Sequence, residues 1–256
     1  MMGARDDQVE AFWQAARRGV YGPPEWKGRL GREEAYGVQL GMLERYVRAG
    51  DRHAGWKVGL TAKAMQAQQG VHEPVFGFLL ASGERPSGTR FGFADLIRPG
   101  FENELCLTVG RTLRGPGITT EQAAAALSGM APALEIIERR GDFAGDLNLA
   151  LADNAQQKAF VTGAATPVPP GFDLAAVSVD IIVNGAHAER AMGSEVLGTP
   201  AASVAWLANK LAEFDRALEA GMRVMSGSFT RQYELTAGDR IQARFTPVGA
   251  VLADFA

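Results

Sequence analysis

The sequence predicts an α+β protein in which helices come first and strands dominate the rest. Two helical patterns precede residue 50, and short apolar runs separated by glycines and prolines follow from Gly55 onward. Strands and helices do not alternate regularly, so a βαβ architecture is not indicated. We therefore expect an N-terminal helical region at residues 1–54 and a β-rich domain at residues 55–256.

Apolar side chains at every third or fourth position predict two helices in the N-terminal region. The first covers Asp7 to about Arg18, and the second covers Glu33 to Arg48 with Val47 on its apolar side. Gly50 is well placed to end the second helix.

The β-rich region carries strand patterns, helix patterns and one hairpin signal. Asn184-Gly185 predicts the hairpin turn. Phe76–Leu107, rich in Gly, Pro and Phe, predicts loops with short strands. Strands are predicted at Trp56–Leu60, Ala133–Ile137, Val177–Val183, Arg223–Ser226, Arg240–Phe245 and Ala250–Phe255. Helices are predicted at Ala62–Gln69, from Thr119 or Thr120 to Leu127, and at Thr199–Phe214.

The composition excludes several classes of protein. A formal net charge of −3 over 256 residues gives no general attraction to nucleic acid or to an anionic membrane. The polar segment Met1–Glu10 does not resemble a signal peptide, and no apolar stretch reaches the length of a membrane span. The single cysteine, Cys106, lies in an apolar run, which favours a core position in a reducing cytoplasm.

Two glutamates separated by one residue, Glu102 and Glu104, stand at the beginning of the apolar run Leu105–Val109. Side chains at i and i+2 of a strand lie on the same face, so the two carboxylates would converge. Adjacent negative charges raise each other's pKa unless a cation lies between them, and a divalent ion that binds oxygen is one such cation. The alternative is that both carboxylates point into solvent at a strand end.

A third acid, Glu135, lies inside the apolar run Ala133–Ile137. Buried carboxylates are rare unless they are paired or bind a metal. The alternative is an alternating strand in which Glu135 faces water. With Glu102 and Glu104 it forms a three-carboxylate set, which suits an octahedral Mg²⁺ or Mn²⁺ ion completed by substrate and water.

Other polar residues offer weaker signals. Lys57 lies in the strand-like run Trp56–Gly59, where it either moves protons and binds an oxyanion or is simply an exposed lysine. The clusters Ala152–Ala155 and Ser226–Thr230 are loop-like and can present amides and hydroxyls to an anion. The histidines lack metal-ligand spacing, and no catalytic triad, phosphate loop or dinucleotide motif is present in the sequence.

Seven motifs follow one another at separations typical of a single family. They are Trp56–Met65, Glu102–Glu104, Leu113–Gly117, Pro132–Ile136, Ala152–Ala155, Val196–Pro200 with Ala205–Asn209, and Ser226–Thr230. In this order they resemble the 2-keto-4-pentenoate hydratase and 4-oxalocrotonate decarboxylase family, within the fumarylacetoacetate hydrolase superfamily. The similarity runs from about Glu33 to Phe255, which is nearly the whole chain.

The resemblance implies an N-terminal helical region followed by a mixed β-sheet roll or barrel, with catalysis in residues 55–256. It implies a homo-oligomer that binds one Mg²⁺ or Mn²⁺ per subunit. Glu102, Glu104 and Glu135 match the family's metal ligands, and Lys57 matches its active-site lysine. The implied partner is a small 2-oxo or 2-hydroxy dienoate from aromatic-compound catabolism, and association of a hydratase with a decarboxylase is compatible with the family.

Two positions depart from the family pattern near the chemistry. Val75 stands where hydratases of the family carry an aspartate, and Gln156 stands where they usually carry a serine. The aspartate is a candidate for handling water or protons, so its replacement by Val75 favours decarboxylation. His72 and Glu73, next to Val75 in the sequence, are candidates for the missing base.

The C-terminal motif predicts substrate contacts by Ser228, Thr230 and Arg231. It resembles hydratases that act on seven-carbon dicarboxylates, in which Arg231 would face a second carboxylate, although a solvated arginine is the alternative. We expect first a hydratase that converts a 2-hydroxy-2,4-dienoate into a 4-hydroxy-2-oxo acid. A 4-oxalocrotonate-type decarboxylase is the alternative, and hydrolysis of a carbon–carbon bond or non-catalytic binding of a 2-oxo acid ranks below both.

Overall fold

The computed structural model describes residues 2–68 and 70–256. The helices are α1 (Met2–Arg17), α2 (Arg32–Arg48), α3 (Lys63–Gln68), α4 (Thr120–Ala126), α5 (Leu147–Ala152) and α6 (Pro200–Ala212). The strands are β1 (His53–Gly59), β2 (Val75–Leu80), β3 (Glu84–Pro86), β4 (Thr89–Phe91), β5 (Pro99–Val109), β6 (Leu127–Glu138), β7 (Gln157–Thr162), β8 (Thr166–Pro167), β9 (Ser178–Val183), β10 (Ala186–Met192), β11 (Arg223–Met225), β12 (Tyr233–Glu234), β13 (Arg240–Thr246) and β14 (Gly249–Phe255).

Within the described residues, these strands form two sheets. The larger sheet has the order β2-β1-β11-β5-β6-β7-β3, with β12 paired to β5 and β8 paired to β6. It is mixed, because β1 pairs in parallel with β11 and antiparallel with β2. The smaller sheet has the order β10-β9-β13-β14-β4, and its strands β13 and β14 pack against β6. The predicted α+β class and mixed β-sheet roll are confirmed.

The N-terminal helices are fixed to one end of the larger sheet by buried contacts. The ring of Tyr36 in α2 stacks on that of Phe76 in β2, with 4.3 Å between ring centroids. Gln39, fully buried, donates from Nε2 to the carbonyl oxygens of Phe76 at 3.0 Å and Leu151 at 2.8 Å. Helix α2 therefore joins β2 to α5, and both of these elements contribute to the site described below.

Most predicted elements occur, and the short strands predicted in Phe76–Leu107 include the buried strand Val75–Leu80. The prediction is wrong at the end of this stretch, where β5 begins at Pro99 and Glu102 lies within a strand of 11 residues. The reason is non-local. Strand β5 is hydrogen-bonded on one side by β6 and on the other by β11 and β12, and this pairing extends it through residues that locally resemble a loop.

Smaller differences concern the ends and faces of helices. Val47, predicted on the apolar side of α2, is 44% exposed. The predicted last residue of the helix after Thr61, Gln69, lies outside the described residues. Strand β1 begins at His53, and the division of the chain at residues 54 and 55 stays a prediction. None of the helices in the described part of the chain has the length and apolar character needed to cross a membrane.

Candidate active site

The pairing of β5 with β6 brings the three glutamates together. Glu102 lies directly opposite Glu135, and Glu104 lies opposite the small residue Ala133. Side chains opposite or diagonal to each other on one face of an antiparallel pair are neighbours. One carboxylate oxygen from each of Glu102, Glu104 and Glu135 lies within 4.8 Å of the others. The predicted convergence of these acids is therefore observed, and Glu135 does not face water, since its side chain is fully buried.

The electrostatic state of the cluster reflects burial next to like charges. Burial and the charge on Glu135 raise the pKa of Glu102 to about 7. Burial raises the pKa of Glu104 well above its usual value, and the other two carboxylates raise it further. Burial also raises the pKa of Glu135, although the positive charge on Lys57 opposes this effect. Without a further cation, the cluster is therefore short of positive charge.

Lys57 is the buried cation beside this cluster. It lies in β1 with a side-chain exposure of 6%, and its Nζ is 3.4 Å from Oε1 of Glu135. Burial by itself would lower the pKa of Lys57, but the charges on Glu135, Glu102 and Glu104 outweigh burial and raise it. The ammonium also donates to the backbone carbonyl oxygen of Ala155 at 3.1 Å. Lys57 is therefore held as a charged group at the edge of the acidic cluster.

The carbonyl of Ala155 belongs to an unusual turn between α5 and β7. Three consecutive residues that are not glycine, Asn154, Ala155 and Gln156, have φ values of 57°, 48° and 66°. Each left-handed residue of this kind costs about 1–2 kcal/mol, so the surrounding contacts must hold the turn in place. Asn154 provides two of these contacts: its Oδ1 accepts from the backbone N–H of Phe78 at 2.7 Å, and its Nδ2 donates to the carbonyl of Phe78 at 3.0 Å.

The turn is also packed closely against β2. A Cβ atom at Gly77 would lie 2.9 Å from Oδ1 of Asn154 and 3.2 Å from Cε of Lys57. Only glycine leaves this space, so Gly77 allows Lys57 and the turn to approach each other. Strand β2 therefore fixes the turn through the two hydrogen bonds between Asn154 and Phe78, which we call the Asn154 clamp. The turn in turn holds Lys57 through the carbonyl of Ala155.

The acidic cluster has oxygen atoms without hydrogen bonds that fit a metal ion. Oε1 of Glu104 and both carboxylate oxygens of Glu135 are buried without a hydrogen-bond partner among the described residues. The other oxygen of Glu104 accepts from the backbone N–H of Gly227 at 2.8 Å, which fixes the direction of that carboxylate. Three convergent carboxylates without nitrogen or sulfur ligands are typical of Mg²⁺, Mn²⁺ or Ca²⁺ sites. The residues present therefore fit an oxygen-bound divalent cation.

The cluster opens through Glu102 onto a cavity of about 240 Å³. Its lining includes the apolar residues Leu60, Phe143, Leu147 and Ala150. It also includes three of the four predicted substrate-binding residues, Ser228, Thr230 and Arg231, but not Lys57. Oγ of Ser228 is buried without a hydrogen-bond partner in the described part of the chain.

Arg231 lies at the outer edge of this cavity. Its side chain is 74% exposed, its Nε is 3.7 Å from Oε2 of Glu189, and its guanidinium stacks on the ring of Tyr233. The arginine is therefore solvated, as the alternative sequence interpretation holds, and also borders the cavity.

His72 and Glu73 are not brought to the cavity, whose described lining residues include neither of them. Oε1 of Glu73 lies 3.0 Å from Nζ of Lys210 in α6, and His72 is exposed. Val75 is buried, with an exposure of 3%. Proximity in sequence to Val75 therefore does not place either side chain beside the acids, and the geometry gives their predicted role as a base no support.

Sequence reasoning missed the apolar wall and the contact between Lys57 and Ala155. Phe143 and Leu147 belong to no motif, and only the pairing of distant elements brings them to the cavity. The polar cluster Ala152–Ala155 was a signal for the turn, but Asn154 binds the backbone of Phe78 instead of presenting its amide to an anion. Cys106 is a core residue as predicted: burial, together with the charge on Glu104, raises its pKa to about 12.

Comparison with known proteins identifies the family. Residues 57–255 match the family described as fumarylacetoacetate (FAA) hydrolase C-terminal, to which this chain belongs. A 2-hydroxyhexa-2,4-dienoate hydratase from Comamonas testosteroni is 37% identical over 226 residues, which are 87% of this chain and 86% of that protein. A 4-oxalocrotonate decarboxylase from Pseudomonas sp. (strain CF600) is 36% identical over 223 residues, which are 87% of this chain and 84% of that protein.

A solved structure is also similar over its full length. The 4-oxalocrotonate decarboxylase from Pseudomonas putida G7, complexed with magnesium and adipate, superposes with a TM-score of 0.92 at 31% identity. The match covers 100% of this chain and 98% of that chain.

Proposed function

We propose that this protein is a metal-dependent hydratase that adds water to a 2-hydroxy-2,4-dienoate, giving a 4-hydroxy-2-oxo acid. The observation that carries the proposal is the convergent set Glu102, Glu104 and Glu135, in which Glu104 and Glu135 are fully buried and Glu102 borders a small cavity, with Lys57 beside Glu135. The similarity to the hydratase from Comamonas testosteroni supports this substrate class.

Glu102, Glu104 and Glu135 would hold a divalent ion, and we propose Mg²⁺ or Mn²⁺. Buried oxygen atoms of Glu104 and Glu135 that have no hydrogen-bond partner among the described residues support this role, as does the magnesium in the similar decarboxylase from Pseudomonas putida G7. The bound ion would act as a Lewis acid that stabilises negative charge on the C2 oxygen of the substrate. The protein would supply three carboxylate ligands, and substrate and water would complete the coordination.

Lys57 would act on the substrate from the edge of the cluster. Its contacts with Glu135 and with the carbonyl of Ala155 keep the ammonium charged and fixed. From this position it can hydrogen-bond a substrate oxygen, or move the proton that converts the dienol into an α,β-unsaturated ketone. Both tasks need a proton on Nζ at neutral pH, which the raised pKa of Lys57 provides.

The cavity walls would orient the remainder of the substrate. The apolar lining residues Leu60, Phe143 and Leu147 suit the hydrocarbon chain of a dienoate. Ser228 and Thr230, which line the same cavity, would bind polar groups of the substrate. Arg231, at the outer edge, would meet a second carboxylate if the substrate is a dicarboxylate.

A 4-oxalocrotonate-type decarboxylase is the second candidate, and Val75 is the observation that favours it. This position is apolar and 3% exposed, so it contributes no acid or base to a hydration step. Loss of CO₂ from the substrate does not require a water molecule at the distal carbon. The similar decarboxylases from two Pseudomonas strains also support this candidate.

The proposal also covers the compartment and the assembly of the enzyme. We propose a cytoplasmic homo-oligomer of aromatic-compound catabolism, in which hydratase and decarboxylase subunits can associate. The unpaired, buried Cys106 suits a reducing compartment. Analytical ultracentrifugation, alone and with a partner decarboxylase, tests the assembly.

The decisive experiment measures Mg²⁺- or Mn²⁺-dependent loss of dienol absorbance with 2-hydroxypenta-2,4-dienoate. A parallel reaction with 2-oxohex-3-enedioate measures CO₂ release. Glu104→Gln should abolish turnover, whereas the matched change Glu213→Gln on the surface should not. Formation of 4-hydroxy-2-oxopentanoate supports the hydratase, CO₂ alone supports the decarboxylase, and oxalate binding without any turnover supports a non-catalytic binder.

A further inference from the structure

Gln156 is a polar residue of the cavity to which the proposed mechanism gives no task. Its side chain lines the cavity together with Glu102. Its Oε1 is buried and has no hydrogen-bond partner among the residues the structure describes. A buried amide oxygen without a donor is costly, so such atoms usually have a ligand or an ordered water as partner.

The backbone around Gln156 is held tightly against the catalytic lysine. Asn154 is bonded twice to Phe78, the carbonyl of Ala155 accepts from Lys57, and Gln156 follows directly with a φ of 66°. Gln156, the last residue of this left-handed turn, is among the residues that line the cavity. The next residue, Gln157, lines a different cavity with Arg140 and Asp153.

The chemistry of the ligand identifies what Oε1 of Gln156 can bind. An acceptor needs a donor, and the only O–H of a 2-hydroxy-2,4-dienoate is on C2, which the proposed mechanism places at the acidic cluster. The cavity lining also carries donors, on Thr61, Ser228, Thr230, Arg231 and Gln232, but none of the described residues bonds Oε1 of Gln156. A water molecule beside the hydrocarbon chain is the remaining donor.

We propose that Gln156 positions the water molecule that adds to the substrate. This inference rests on the proposed hydratase function and names the residue that directs its second half-reaction. The carboxamide oxygen accepts one O–H of the water and leaves a lone pair of the water oxygen directed at the substrate. An uncharged amide orients water without taking its proton, so this role requires no acid at position 75.

The addition balances as follows. The water oxygen forms a bond to C4 of 2-oxopent-3-enoate, and the C3–C4 π electrons move through C2–C3 onto the C2 oxygen. The water then loses one proton to bulk solvent, and one proton from solvent is added at C3 as the C2 carbonyl re-forms. The sum is the gain of one H₂O, with OH on C4 and H on C3, and no oxidant or reductant takes part.

The test separates ketonisation from hydration in Gln156→Met, which removes the acceptor while nearly preserving the volume. In D₂O, incorporation of deuterium at C5 of 2-hydroxypenta-2,4-dienoate reports ketonisation, and formation of 4-hydroxy-2-oxopentanoate reports hydration. We expect hydration to fall about tenfold or more, as for the loss of one hydrogen bond to a reacting group, and deuteration to stay within about twofold. Gln156→Glu, which keeps an acceptor oxygen, should hydrate faster than Gln156→Met.

Controls distinguish a role in water positioning from a structural role. Gln157→Met makes the same change one residue further on and should leave both rates within about twofold of wild type. Thermal unfolding and calorimetric Mg²⁺ binding of Gln156→Met and Gln157→Met should match those of wild type. Equal loss of both rates in Gln156→Met, or undiminished hydration, would overturn the inference. Absence of hydration in the wild-type enzyme would instead overturn the proposed function and the inference with it.

Discussion

Replacing Lys57 with methionine tests the charge balance of the acidic cluster. Lys57 Nζ lies 3.4 Å from Oε1 of Glu135, and the two side chains are 6% and 0% exposed. Removing one partner of a buried ion pair typically costs about 3–5 kcal/mol, because the other charge remains buried without compensation. We therefore expect the free energy of unfolding of the metal-free protein to fall by about 3–5 kcal/mol.

A divalent ion should compensate for much of this loss. It supplies positive charge to the same carboxylates, so excess Mg²⁺ should stabilise Lys57→Met more than it stabilises wild type. The assay is guanidinium unfolding monitored by tryptophan fluorescence, in EDTA and in excess MgCl₂. Trp56, adjacent to Lys57 and buried, provides a local signal.

Lys210→Met is the matched control. Its ammonium pairs with Glu73 and Glu213, but these partners are 43% and 59% exposed, so the loss should stay below about 1 kcal/mol. If Lys57→Met is no more destabilising than Lys210→Met, or if Mg²⁺ stabilises both variants equally, the reasoning about the cluster is wrong.

Three further predictions concern the surroundings of the site. Gly77→Ala places a Cβ 2.9 Å from Oδ1 of Asn154 and 3.2 Å from Cε of Lys57. Because this contact displaces Lys57, kcat in steady-state kinetics should fall at least about tenfold, and an unchanged kcat would contradict this packing. Asn154→Ala removes both bonds to Phe78 and should lower the free energy of unfolding by about 2–4 kcal/mol in a denaturant titration, whereas a loss below about 1 kcal/mol would show that the clamp is weak. Burial lowers the pKa of His53 to about 4 from 6.5, so the unfolded chain binds the extra proton and stability is lost as pH falls from about 6.5 to 4. The free energy of unfolding of His53→Gln should therefore fall by about 2 kcal/mol less than that of wild type over this range. Parallel plots of unfolding free energy against pH for the two proteins would refute the assignment.

The three carboxylates show how far sequence can predict a site. Period-two alternation is local, so it places Glu102 and Glu104 on one face of a strand. The position of Glu135 opposite Glu102 depends on the register of β5 with β6, and that register joins residues 33 positions apart. Apolar neighbours indicated that Glu135 is buried, but they carry no information on its partner. The sequence interpretation therefore grouped Glu135 with Glu102 and Glu104 on the chemistry of metal ligands, and the family resemblance supported that grouping.

His72 and Glu73 illustrate the opposite error. Both are adjacent to Val75 in sequence, and this proximity was the reason to consider them as bases. The chain reaches Val75 from the direction of α6, where Lys210 attracts the carboxylate of Glu73. The pairing of Val75 with Gly59 then directs β2 along β1, toward Gly77 opposite Lys57. Distance to the acids is therefore set by the sheet rather than by position in the chain.

The charges of the site determine the order in which its ligands bind. When ionised, the carboxylates of Glu102, Glu104 and Glu135 carry three negative charges, and Lys57 offsets one of them. The remaining two negative charges repel an anionic dienoate, whereas a divalent cation neutralises them. Because the cluster is buried, solvent screens this repulsion only weakly. The substrate should therefore enter after the metal, and Lys57 alone is not sufficient to attract it.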